Sequence, residues 1–304
     1  MRVALYLPNA VPAFRPNAAQ LAWLATAIAP HELCPTETET EFLKALPHAR
    51  AAVVWSFDAN WYTLAPELSA VFTPSAGREH IAPDPSSRVG AYHGSFHGRI
   101  MAESLLGMLL FMNRRFGAAL EHQARGDWDR AAYFGARSLR GQTALLVGYG
   151  AIGQHCAALL QSVGMRVHGL RRSGPGAGVE RLFAASELLE ALPLADHVVS
   201  LLPGDASTER FFDANAFSHM KPSAYFYNLG RGLTVDEGAL VAALESDHIA
   251  GAFLDVVATE PLPSESKLWR TRNLFITPHA SAIYAEYLDL YFEELAPLLR
   301  AAAT

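Results

Sequence analysis

The hydrophobic positions along the chain change rhythm at about residue 94. Before it, short apolar runs alternate with turn-rich stretches, and "RVALYL" and "AAVVW" read as strands of a small α/β unit. The polar, acidic "CPTETETE" between them is a solvated loop or a helix start. A Pro/Ser-rich stretch, "APDPSSRVG", leads into "HGRIMAESLLGMLLFMNRRF". There Ile100, Met101, Ser104, Leu105, Met108, Leu109 and Met112 recur at helical spacing and predict one long, mostly buried helix. The crossing between two domains is expected just before it.

From Gly141 onward the pattern becomes strand–helix alternation. "TALLVG", "RVHGLR", "HVVSLL", "AYFYNL", "IAGAFL" and "LFIT" are strand-like, with helix-like segments such as "AIGQHCAALLQSVG" and "VDEGALVAALESD" between them. Alternation of this length predicts a doubly wound parallel sheet covered on both faces. "RSGPGAGVE", after the second of these strands, reads as a flexible loop, and no internal repeat is evident.

Composition narrows the class. A chain of 304 residues with 51% hydrophobic and 18% charged residues suits two packed domains, not a disordered segment. The formal net charge of −6, with no basic run, argues against a nucleic-acid partner. Two cysteines, Cys34 and Cys156, imply no disulfide framework and a reducing, cytoplasmic setting. The first apolar run is broken by Pro8 and Asn9, which reads as a strand and not a signal peptide. Leu105 to Met112 is the longest apolar run and falls far short of the roughly 20 residues a membrane span needs.

The chemistry begins at "LLVGYGAIGQHCAALL". Gly148, Gly150 and Gly153 follow a strand and open a helix, the arrangement that aims backbone N–H groups at a pyrophosphate. Tyr149, Ala151 and Ile152 belong to the same cofactor turn. At the end of the next strand stand Arg171, Arg172 and Ser173, where an NAD enzyme would carry an acid for the ribose 2′-hydroxyl. Two arginines and a hydroxyl suit a 2′-phosphate, so NADP(H) is expected ahead of NAD(H); the plain alternative is a solvated basic strand end. His93 and His97 have i, i+4 spacing, but no third ligand accompanies them, so no metal site is expected. Cys156 reads as packing.

Three further segments carry a specific resemblance: "NLGRGLTVDEGALVAAL" with Arg231, "LDVVATEPLP" with Glu260, and "NLFITPHAS" with His279. With the glycine turn they resemble the D-isomer-specific 2-hydroxyacid dehydrogenase family from Leu139 to Ile283. "TPHASAI" looks like its glyoxylate/hydroxypyruvate reductase branch. The resemblance implies a Rossmann cofactor domain, residues 94–280, inserted into a flavodoxin-like substrate domain, residues 1–93 with 281–304. It places the active site in the cleft where ligands of α/β proteins commonly bind.

Residue types agree with that chemistry. Reducing a 2-keto acid needs a cation for carboxylate and carbonyl, which Arg231 can provide, and a proton for the alkoxide, which His279 can provide. By resemblance, Glu260 bonds the other imidazole nitrogen and holds the ring protonated. By the same resemblance, Asp255 bonds the nicotinamide carboxamide, Leu201, Leu202 and Pro203 line the adenosine side, and Leu229 joins the cofactor contacts. Gly77 and Arg78, in "SAGREHI", are expected to grip the substrate carboxylate through backbone N–H groups. That segment departs from the family's A-G-V-D at Arg78 and Glu79. Trp55 either walls the pocket or sits in the core. Tyr284 stands where reductase-branch relatives often carry arginine.

The expected protein is therefore an NAD(P)H-dependent reductase of a small 2-keto acid to the D-2-hydroxy acid. A homodimer through the cofactor domain is expected, with the segment Arg114 to Ala132 as the embracing arm. The alternative is a nucleotide-sensing regulatory protein of the same fold with little turnover.

Overall fold

The structure is a computed structural model that describes residues 1–174 and 176–302. Pro175 of the expected loop 172–180, and Ala303 and Thr304 of the expected carboxy-terminal piece, lie outside the described residues. The chain divides into two compact units, Met1–His97 with Ile283–Thr304, and Gly98–Ala282.

The first unit holds a parallel sheet of five strands: β1 (Arg2–Tyr6), β2 (Glu32–Pro35), β3 (Ala51–Val54), β4 (Ala70–Thr73) and β5 (Gly90–His93). Their order is β2-β1-β3-β4-β5, the flavodoxin-like order. Every residue of β3 and β4 is buried, as small and β-branched side chains covered on both faces should be. Helix α1 (Ala18–Ala27) starts in a capping box between Asn17 and Gln20. The acidic stretch resolves as a helix start: Thr38 Oγ1 accepts from the Glu41 N–H at 3.2 Å and opens α2 (Glu39–Ala45). The carboxy-terminal helix, Tyr287–Ala301, buries Tyr287, Leu288, Tyr291, Phe292, Leu295 and Leu299 at helical spacing.

The second unit holds all but the first residue of α3 (His97–Asn113), α4 (Phe116–Arg125) and a parallel sheet of seven strands. These are β6 (Thr143–Val147), β7 (Arg166–Arg171), β8 (Arg181–Ala184), β9 (His197–Ser200), β10 (Tyr225–Asn228), β11 (Gly251–Leu254) and β12 (Leu274–Ile276). Helices α5 (Ala151–Ser162), α6 (Leu188–Ala191), α7 (Ala214–Ser218) and α8 (Glu237–Glu245) lie between them in sequence. The order β12-β11-β10-β9-β6-β7-β8 reverses direction at β6, which is where a doubly wound sheet opens its ligand crevice.

The period of two sorts the strand residues into two cores. Leu145, Val147, Val198, Phe226 and Leu254 join one cluster with Leu240 and Leu244 of α8. Ala144, Leu146, Val199, Tyr227 and Phe253 join the other, with Met101, Leu105 and Met108 of α3 and Cys156 and Leu160 of α5. The predicted long helix thus covers one sheet face. Burial pushes the Cys156 thiol up to about 12, so it stays an uncharged packing group.

A buried polar chain crosses the second core. His197 is fully buried; its Nε2 meets Gln142 Oε1 at 2.6 Å and its Nδ1 meets the Tyr227 hydroxyl at 3.0 Å. The neutral ring satisfies both, donating from Nε2 and accepting at Nδ1. Burial lowers its pKa to about 4. The unfolded ring, near 6.5, binds a proton that the folded ring refuses, so stability falls as pH drops from about 6.5 towards 4. The full loss is about 3 kcal/mol. Urea midpoints at pH 7.5 and 5 should differ by less in His197→Gln than in the wild type; equal differences would show that another group drives the effect.

Candidate active site

The residues expected at the cofactor site all lie at the carboxyl ends of parallel strands in the second unit. Gly148 follows β6 with φ +93°, and a Cβ there would stand 2.8 Å from the backbone carbon and oxygen of Leu201. Only glycine fits such a position. Gly150 caps α5 without a side chain, and a Cβ on it would meet nothing nearer than the Gly148 oxygen at 3.9 Å. The first-turn N–H groups of Ala151, Ile152 and Gly153 have no carbonyl within the helix to bond, and Ala151, exposed beside the open space at Gly150, is the one most open to an anion. Leu201, Leu202 and Pro203 follow β9, with Leu202 buried and Pro203 exposed; Leu229 follows β10 and is buried.

Arg171 ends β7 half-buried, and Arg172 and Ser173 follow it in the open. Tyr149 turns the other way. Its N–H donates to Leu170 O at 2.9 Å and its buried hydroxyl group reaches Ala177 O at 2.6 Å. Its side chain therefore belongs to the core and to the 172–180 loop, and the anion-facing groups of the turn are its neighbours.

Arg231 sits in a loop after β10 that two glycines press against other loops. A Cβ at Gly230 would lie 2.4 Å from Leu202 O, and one at Gly232 would lie 1.9 Å from the carbonyl carbon of Val257. Between them the Arg231 carbonyl accepts from Asn228 Nδ2 at 3.1 Å and from Thr234 Oγ1 at 2.7 Å. Its Nη1 donates to Gly230 O at 2.9 Å. The Gly-Arg-Gly spelling is thus a packing requirement on both sides of one cation.

Glu260 and His279 form the second half of the site. His279 Nδ1 lies 2.8 Å from Glu260 Oε2, with the imidazole side chain 47% exposed. Glu260 Oε1 accepts from the Val257 N–H at 3.2 Å, which orients the carboxylate. No partner faces His279 Nε2 among the described residues. His279 has φ +52°, an uncommon conformation for a non-glycine residue. Asp255 holds the turn in that shape. Its Oδ1 accepts from Thr277 Oγ1 at 2.6 Å and the Ala280 N–H at 2.7 Å, and its Oδ2 from the Ser281 N–H at 3.0 Å. Its carbonyl accepts from the His279 N–H at 2.8 Å. Three of a carboxylate's roughly four acceptor places are therefore committed to placing His279.

Comparison with known proteins decides the class. Residues 106–281 match the family model described as "D-isomer specific 2-hydroxyacid dehydrogenase, NAD binding domain". The chain belongs to the D-isomer specific 2-hydroxyacid dehydrogenase family. A protein of Dictyostelium discoideum named probable 2-ketogluconate reductase is 32% identical over 250 residues, 79% of this chain and 74% of that one. The glyoxylate/hydroxypyruvate reductase A of Salmonella paratyphi B is 31% identical over 282 residues, 84% of this chain and 88% of its own. A D-isomer specific 2-hydroxyacid dehydrogenase from Xanthobacter autotrophicus Py2, solved in complex with NADPH and MES, superposes with a TM-score of 0.80. It is 27% identical and the match covers 99% of this chain and 94% of that one.

Membership makes the protein an oxidoreductase acting on CH–OH groups with a nicotinamide cofactor. The residues fit such a cofactor, because the turn is open beside Gly150, where a Cβ would meet only the Gly148 oxygen at 3.9 Å, and the helix start behind it offers N–H groups to a phosphate. His93 ends β5 and His97 opens α3, so their i, i+4 spacing does not lie on one helix; among the described residues no group of three or more His, Cys, Asp or Glu side chains could hold a metal. No described helix is long and apolar enough to cross a membrane.

In the first unit, Trp55 follows β3 half-buried, its ring 6.0 Å from Tyr287 and 5.4 Å from Phe14, its buried Nε1 without a hydrogen-bond partner among the described residues. Gly77 N–H donates to Ser75 Oγ at 3.2 Å, and Arg78 is exposed. Sequence reasoning missed Thr277 and the role of Asp255 in shaping the His279 turn. The one available signal was the Thr two residues ahead of His279.

Proposed function

We propose that the protein reduces a small 2-keto acid of the glyoxylate or hydroxypyruvate class to the D-2-hydroxy acid, with NADPH preferred to NADH. The Glu260–His279 hydrogen bond carries the reading. It fixes the ring with Nδ1 as donor to the carboxylate and leaves Nε2 to hold the proton that neutralises the nascent alkoxide. In the reverse direction Nε2 takes that proton back. Arg231 supplies the guanidinium that binds the carboxylate and polarises the keto oxygen. The nicotinamide, when bound, supplies or accepts the hydride. We assign its pyrophosphate to the N–H groups after Gly150, its adenosine side to Leu201, Leu202 and Pro203, and its nicotinamide side to Leu229 and Asp255. Gly77 and Arg78 are assigned to the substrate carboxylate and Trp55 to the pocket wall.

The reductase name of the Salmonella relative supports the substrate class, and the NADPH complex of the Xanthobacter protein supports the cofactor. Arg171, Arg172 and Ser173 support it from this chain. Each charge-assisted contact to a 2′-phosphate contributes about 1.5–3 kcal/mol before desolvation, and about 1.4 kcal/mol is a factor of ten. The expected kcat/KM with NADPH exceeds that with NADH by tenfold or more, and Arg171→Asp should narrow or reverse the ratio. Equal wild-type values at one ionic strength would remove the NADPH assignment.

We further propose a cytoplasmic homodimer built through the second unit. Trp128 is 89% and Phe134 87% exposed, and Phe116 and Leu120 are also exposed, which makes this segment an apolar surface that association would cover. A monomeric mass in solution would overturn it.

A further inference from the structure

We propose that Tyr149 is a positioning residue for the 2′-phosphate end of the cofactor, acting through the loop between β7 and β8 without touching the nucleotide. The inference rests on the NADPH reading above.

Tyr149 occupies the variable place between the first two glycines of the turn, yet its side chain is 1% exposed. Glycines surround the ring. A Cβ at Gly153 would lie 3.1 Å from its Cδ2, one at Gly169 2.9 Å from its Cγ, one at Gly176 3.4 Å from its Cε1, and one at Gly178 3.6 Å from its hydroxyl. Gly169 belongs to β7 and the last two to the loop that Arg171, Arg172 and Ser173 begin. A Cβ at Gly169 would crowd the ring, whereas at Gly176 it would first meet Leu182 at 2.9 Å and at Gly178 it would only touch the hydroxyl, so β7 packs tightly on the ring and the loop lies in contact with it.

The hydroxyl then ties the loop down. It donates to Ala177 O at 2.6 Å, and Gln161 Nε2 of α5 donates to Gly178 O at 2.9 Å beside it. Burial raises the Tyr149 pKa, so the hydroxyl remains a donor at any working pH. The Arg171 guanidinium lies beside the start of this loop, its Nη2 3.4 Å from where a Cβ at Gly174 would stand, and its charge acts on the Tyr149 hydroxyl.

The physical reason for such a tether is entropic. A loop with glycines at 174, 176 and 178 loses more conformational freedom on ordering than one with side chains. If it ordered only when a phosphate arrived, that loss would be subtracted from the affinity of Arg172 and Ser173. Tethering residues 176–178 to Tyr149 lowers that loss by shortening the stretch left to order around Arg172 and Ser173. The ring packing needs any aromatic side chain. The bond to Ala177 needs tyrosine.

The test is calorimetric binding of 2′,5′-ADP and of 5′-ADP to the wild type, Tyr149→Phe and Gly178→Ala. Tyr149→Phe keeps the ring and loses the tether; it should weaken 2′,5′-ADP by about fivefold and leave 5′-ADP bound as in the wild type. Gly178→Ala strains the same loop, at φ +81° on an exposed residue beside the Tyr149 hydroxyl, and should shift the two ligands in the same unequal way; it decides the matter alone if Tyr149→Phe does not fold. Unchanged binding of 2′,5′-ADP, or equal weakening of both ligands, overturns the role of Tyr149. A wild type that binds the two ligands equally overturns the NADPH reading itself, and this proposal with it.

Discussion

Replacing Arg231 by alanine should cut kcat/KM for the keto acid by about 10²–10³ and raise KM steeply, because the proposed role has the guanidinium hold the substrate before as well as during reaction. Replacing His279 by alanine should instead fall on kcat, by about 10²–10⁴, with KM little changed, because a proton donor acts only as the alkoxide forms. The contrast follows from placement. Arg231 is a cation fixed by its own backbone, whose carbonyl Asn228 and Thr234 hold, whereas His279 is a ring aimed by Glu260 at 2.8 Å. Arg231→Lys should recover little, since an ammonium cannot make the forked contact of a guanidinium. Steady-state kinetics on the three variants separate the roles. A KM for the keto acid unchanged in Arg231→Ala would remove that residue from substrate binding.

Gly232→Ala should be the most damaging single methyl group in the second unit. The added carbon would lie 1.9–2.4 Å from the carbon and oxygen of Val257 and the nitrogen of Ala258, all backbone atoms with no rotamer to change. Overpacking typically costs about 1–3 kcal/mol and occasionally more, and rigid backbone on the far side puts this position at the upper end. The damage should reach catalysis as well as stability. Val257 N–H orients Glu260, and Gly232 adjoins Arg231, so moving the two loops apart disturbs both halves of the site. Urea unfolding and kcat/KM should fall together in this variant. Wild-type stability with wild-type turnover would mean the two loops are not packed as described.

Much of the fold and of the site is legible in the amino-acid sequence. Short strand-like runs alternating with helix-like segments mark β6, β7 and β9 to β12, and the glycine turn announces its own geometry, since a positive φ beside a neighbouring backbone excludes other residues. Gly-Arg-Gly, Glu-Pro and Pro-His single out Arg231, Glu260 and His279 as candidates, and the structure joins the last two by a hydrogen bond. Four strands are not legible in this way. β2, ELCP, carries a charge, a cysteine and a proline in four residues, and β5 leaves Tyr92 exposed at the sheet edge, so neither shows a clean alternation. β4 is a four-residue run too short to separate from a buried turn of helix, and β8, RLFA, is an equally short edge strand. The rest is hidden because it is non-local. Asp255 meets Thr277, Ala280 and Ser281 only once β11 and β12 lie side by side, and no spacing rule announces that its carboxylate is used to shape a turn. Tyr149 is hidden for the opposite reason. It sits inside a motif whose variable position says nothing about which way the side chain points.

The most direct measurement is the configuration of the product formed when the purified protein is given hydroxypyruvate and NADPH. The expected result is consumption of the nucleotide and D-glycerate as product, with the turnover lost in His279→Ala. No nucleotide consumption with hydroxypyruvate, glyoxylate or any other 2-keto acid, or the L enantiomer as product, would contradict a D-specific reductase built on Arg231, Glu260 and His279.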